Sequence, residues 1–90
     1  MNNERRKEID RLMERVNSLL ADLSEIKDSI ESVRDEEQGY LDNMPENMAD
    51  SERAEKSQAA IDALDEALSS LDDSETNLGE INTNLETAKE

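Results

Sequence analysis

The chain has 90 residues, 33% of them apolar and a single one aromatic, so it lacks the material for a large enclosed core. Twenty-five acids against 10 bases leave a net charge of −15, which repels nucleic acid and anionic membranes and favours basic protein surfaces or cations. With no cysteine and no histidine, disulfides, thiolate chemistry and imidazole catalysis are excluded.

The first ten residues, MNNERRKEID, are charged where a secretory signal would turn apolar, and no uninterrupted apolar run exceeds three residues. A cytoplasmic chain without membrane contact is the expectation. Leu, Ile, Val and Phe make up under a fifth of the chain, which with this charge would by itself favour disorder. Periodicity overrules that prior.

From Ile9 the apolar positions run Leu12, Val16, Leu19, Leu23, Ile26, Ile30 and Val33, alternating three and four. This is a heptad seam of a and d positions, predicting a helix over about residues 3–38. Residues 39–49 break the pattern. Gly39 suits a left-handed C-cap, Asp42 and Asn43 favour a turn, and Pro45 fits a first helical turn but not an interior. A second helix is predicted over about residues 50–88, capped by Asp50 or Ser51. Its seam reads Ala60, Leu64, Ala67, Leu71, Ser74, Leu78, Ile81, Leu85 and Ala88, with leucine at a and mostly small residues at d.

So short a connection folds the helices back on each other, giving a single all-α domain, an antiparallel helical hairpin. Charge agrees with that orientation. Arg5, Arg6, Lys7, Arg11 and Arg15 lie at one end of the first helix, and residues 57–88 hold eight acids and no base. Exposed pairs of this kind add only about 0.3–0.5 kcal/mol each, so they select orientation more than they stabilise.

A third apolar position per heptad occurs at e: Met13 and Leu20 in the first helix, Ile61 and Leu68 in the second. With the turn centred near residue 44, these would form one apolar strip along the hairpin, and covering it predicts a homodimer, a four-helix bundle. The alternative is a monomer whose Lys27 and Arg34 stems cover the strip. Gly79, among weak helix formers, loosens the end of the second helix or marks a close backbone approach.

No catalytic constellation is present. Carboxylates and serines abound, but no partner histidine or cysteine, no glycine-rich phosphate loop and no cleft accompanies them, so the chain is expected not to be an enzyme and to need no cofactor. A calcium-hand alignment from Asp35 places Glu37, Asn43 and Glu46 at ligand positions, yet Tyr40 falls where the sharp turn demands glycine, so no metal site is expected. Asp65, Glu66, Asp72, Asp73, Glu80 and Glu86 recur at b and c of the second helix, away from the seam. Mimicry of DNA is one reading of that acidic face; a solvated helix surface is the other.

Residues 35–68, DEEQGYLDNMPENMADSERAEKSQAAIDALDEAL, resemble a group of small coiled-coil proteins of bacteriophages and prophages. In these, a stretch like EEQ, an aromatic, DN, a hydrophobic residue, PE and then SER links two heptad-rich helices. Glu36, Glu37, Gln38, Tyr40, Asp42, Asn43, Met44, Pro45, Glu46, Ser51, Glu52 and Arg53 match; Ala54 stands where glycine is frequent. The resemblance implies a phage context in the bacterial cytoplasm and no particular activity. It directs attention to Tyr40, Leu41, Met44 and Met48 in the turn, which either close the end of the bundle or dock on a partner. The expected function is a self-associating, non-enzymatic protein that binds and modulates a bacterial protein. An acidic DNA mimic directed at a defence enzyme and a structural spacer in a phage assembly are the alternatives.

Overall fold

A computed structural model describes residues 1–90. The protein is all-α: α1 (Asn3–Asp42), a 3₁₀ turn (Glu46–Met48) and α2 (Glu52–Ala88), with the two long helices packed antiparallel as a hairpin.

The helix ends follow from local chemistry. Asn2 Oδ1 accepts the Arg5 amide at 2.8 Å and caps α1, supplying one of the acceptors that the first turn lacks. Gly39 is not the C-cap: no residue has positive φ, and α1 continues one turn beyond it, the Asn43 amide donating to the Gly39 carbonyl at 3.1 Å. Pro45 explains the stop. It has no N–H to donate and disfavours helical geometry at Met44, so the chain leaves the helix there with Pro45 extended at φ −58°, ψ 148°. Of the two predicted caps for α2 it is Ser51 that serves, its Oγ accepting the Ala54 amide at 3.2 Å, while Glu52 and Glu55 place negative charge in the first turn.

The contacts gather into two compact units, one formed by Met1–Glu25 with Leu71–Glu90, the other by Ile26–Ser70. In the first, Ile9 is buried and Val16, Leu23, Leu71, Leu78 and Leu85 are half-buried. In the second, Ala54, Ser57 and Ile61 are buried, Ile61 to 1% exposure, beside half-buried Ile30 and Leu64. The a rows of both helices therefore face inward, as their leucines and isoleucines predict.

The d rows do not. Leu12, Leu19, Ile26, Val33 and Ile81 are exposed, and the second inward row is e: Met13, Leu20, Lys27, Arg34 and Leu41 in α1; Ala54, Ile61, Leu68, Glu75 and Asn82 in α2, followed by Lys89 just past its end. Two physical reasons combine. In the Ile26–Ser70 unit the α2 e row offers Ile61 and Leu68 for burial where the d row offers Ala60 and Ala67, a difference of about 1 kcal/mol or more per residue. On α1 the cationic e residues bury only their stems and keep their heads at the edge of the seam, where Arg34 Nε reaches Asp65 at 2.9 Å.

The register also departs from expectation. Asn82 Nδ2 donates to Asn17 Oδ1 at 2.9 Å, and Arg34 stands opposite Asp65. The midpoint of either pair falls at residue 49 or 50 rather than 44, because α1 outlasts Gly39 and the 3₁₀ turn occupies the residues after Pro45.

Candidate interaction surfaces

In each unit the inward a and e rows leave two flanks of the helix pair, and the two are chemically unlike. The flank beside the e rows is polar. In the Met1–Glu25/Leu71–Glu90 unit, Lys89 Nζ lies 2.8 Å from Asp10 and 3.5 Å from Glu86, and Asn17 meets Asn82. In the Ile26–Ser70 unit, Arg34 bridges Asp65 and, at 3.7 Å, Asp35. The Lys89 ammonium is held above its ordinary pKa by its hydrogen bond to Asp10 and then by the charges of Asp10 and Glu86, with desolvation working against them. Arg34 is raised in the same way, chiefly by its hydrogen bond to Asp65.

The opposite flank carries the d rows. A d residue precedes its e neighbour by one position, so in an antiparallel pair the d rows of both helices emerge on the same side. Leu12 and Leu19 share it with Ser74, Ile81 and Ala88 in one unit; Ile26, Val33 and Tyr40 share it with Ala60 and Ala67 in the other. The five α1 side chains, each seven residues after the last, are 36–53% exposed. Beside Leu19 lies an open hollow of about 220 Å³ bounded by Arg15, Ser18 and Asp22.

Against this geometry the predicted self-association strip needs correction. Ile61 is fully buried, and Met13, Leu20 and Leu68 are half-buried on the inward rows of the hairpin. They form its core, because the e rows took the place that the d rows were expected to hold. The real apolar surplus is the α1 d row, a signal present in the heptad count but assigned to the interior.

The turn residues divide. Leu41, Met44 and Met48 are half-buried and close the end of the Ile26–Ser70 unit, whereas Tyr40 is exposed. Together with Asn43, Pro45 and Arg53, three of the four, Tyr40, Met44 and Met48, line an open cleft of about 350 Å³. Arg53 was not singled out from the sequence as a tip residue; only its proximity across the turn, after Ser51 starts α2, brings it there. Ala54, next in the chain, is buried at 4% exposure, which suits the small residue that follows the SER stretch.

On the acidic face Glu66, Asp72, Asp73 and Glu80 are exposed. Asp65 is exposed as well, with its carboxylate engaged by Arg34 on the polar flank of the helix pair, and Asp72 is likewise not without a partner. The basic start of α1 does not pair with α2 acids as expected. Arg11 bonds Glu8 within its own helix, and Arg6 instead donates to the carbonyl oxygens of Lys89 and Glu90 at 2.9 and 3.3 Å, placing a guanidinium on the C-terminal end of α2. No group of three or more acidic side chains gathers to hold a metal, and no helix is long and apolar enough to cross a membrane. No protein-family model, curated protein or solved structure matches the chain.

Proposed function

We propose that this is a non-enzymatic interaction protein, of the phage or prophage type that residues 35–68 resemble, which self-associates and docks the turn of its hairpin on a bacterial protein to modulate it. The observation that carries the reading is the cleft at the turn. A chain with a single aromatic residue and four methionines places the tyrosine and two of the methionines around one open hollow of about 350 Å³, with Arg53 at its rim. Methionine adapts its shape to a partner, tyrosine supplies apolar area with a polar end, and a guanidinium beside them suits an apolar side chain neighboured by a carboxylate. A plain turn needs only the proline and a few polar residues.

The acidic face of α2 supports the DNA-mimic alternative, since Glu66, Asp72, Asp73 and Glu80 are exposed on a chain of net charge −15. One experiment separates the readings. Affinity capture from a bacterial lysate is compared for the wild type, a Tyr40→Ala/Met48→Ala variant and an Asp72→Lys/Asp73→Lys variant, with circular dichroism checking the fold of each. Loss of a specific captured protein in the turn variant alone supports docking at the turn. Loss in the charge-reversed variant alone replaces it with the DNA mimic, and equal capture by all three favours a spacer.

A further inference from the structure

We infer that the α1 row of Leu12, Leu19, Ile26, Val33 and Tyr40 is the surface on which a second copy of this chain docks, its large side chains seating on the small-residue face of α2 in the partner copy. The inference rests on the self-association within the function proposed above and assigns it to the flank opposite the one expected from sequence.

Three observations select a second copy as the occupant. The first is area. A compact monomer of 10.2 kDa exposes about 5,300 Å² by the usual scaling of surface with mass. This chain exposes 6606 Å², so giving up the roughly 800 Å² that each partner buries in a standard interface would still leave it no less exposed than a compact monomer.

The second is shape. The α1 row is large and keeps a strict seven-residue period, which holds it on one stripe of the helix as a supercoiled contact requires. Its counterpart on α2 is small. At alternating spacings of three and four from Ala60 to Ala88, the d and g rows of α2 hold only alanine, serine, asparagine and Ile81. Large and small rows emerge on one flank of the same hairpin, so a two-fold operation places each large row on the other copy's small row. Both halves of such a contact are present in one chain.

The third is charge. Two copies of a chain with net charge −15 repel, yet no charged residue occupies the α2 stripe anywhere between Ala60 and Ala88, in a chain with 39% charged residues. The α2 acids Asp65, Asp72, Asp73 and Glu80 all lie on other rows. The α2 half of the contact is thereby free of like charge, while the row beside the large α1 side chains sets Arg15 among the acids Glu8, Asp22 and Glu36.

Sedimentation equilibrium of the wild type at micromolar concentration, beside a Leu19→Lys/Val33→Lys variant, tests this. The wild type is expected as a dimer and the variant as a monomer with unchanged helicity, its dissociation constant raised at least a hundredfold. The lysines lower the net negative charge, so a general electrostatic effect would strengthen association, opposite to the expected result. A second variant, Ser74→Lys/Asn77→Lys, alters the small row with better helix formers and is expected to weaken the dimer at least tenfold; it decides the matter if the first loses helix. A wild-type monomer overturns self-association itself. A wild-type dimer whose helical variants keep the same dissociation constant leaves self-association standing and overturns the assignment to this flank.

Discussion

Ile61 illustrates how much a thin core asks of single residues. It is 1% exposed, the one large side chain buried to that degree. Replacing it with alanine is expected to cost about 2–5 kcal/mol, against roughly 5–14 kcal/mol for a folded chain of this size. Ile61→Ala should therefore shift the midpoint of urea unfolding far to lower concentration, with circular dichroism as the readout. Gly79 points the other way. It sits inside α2 with nothing within 4 Å of the place a Cβ would take, so Gly79→Ala removes a helix penalty of about 1 kcal/mol without a clash. A raised melting temperature is expected; a lowered one would reveal a close approach at that point. At this scale the sequence marked Ile61 as apolar and periodic, but not as interior. That depended on which of two neighbouring rows the other helix covered.

The helices as elements are held by end chemistry and by a few bridges across the seam. Asn2 and Ser51 cap the starts, and Arg6 with Lys89 manages the end of α2. Lys89 gives a pH dependence whose sign is fixed by its raised pKa. Its folded value lies above the ordinary 10.5, so the stabilisation is complete below that value and is lost as pH rises through the folded pKa. Thermal melts from about pH 9 to about pH 12 should show the wild type losing stability more steeply than Asp10→Asn, which lacks the principal partner of the ammonium. Parallel slopes would mean that the bridge contributes nothing. The bounds of the elements were largely legible, because heptads and capping residues are local. The overrun of α1 past Gly39 was not. A glycine permits a left-handed cap without requiring one, and Pro45 supplied the actual stop.

For the molecule as a whole, net charge adds to the chain entropy that opposes folding. Its ion pairs join exposed or half-exposed groups and are worth little in water, whereas 25 acids against 10 bases repel throughout. Raising ionic strength from about 0.01 to about 0.15 M shortens the screening length from roughly 30 to 8 Å. The melting temperature is expected to rise with it. A fall would mean that the pairs at Arg34 and Lys89 outweigh the net repulsion.

Periodicity, composition and the lone proline were enough to determine two long helices folded back antiparallel, because amphipathic spacing and turn chemistry act within a few residues. The exclusion of thiol and imidazole chemistry likewise needed no coordinates. Which rows close the hairpin was decided only in three dimensions. Each helix offers d and e rows on either side of its a row, and the choice between them is made jointly by both helices, through the bulk of Ile61 and Leu68 and the reach of Arg34 to Asp65. That choice turned the expected outer strip into core and left Leu12, Leu19, Ile26, Val33 and Tyr40 facing water.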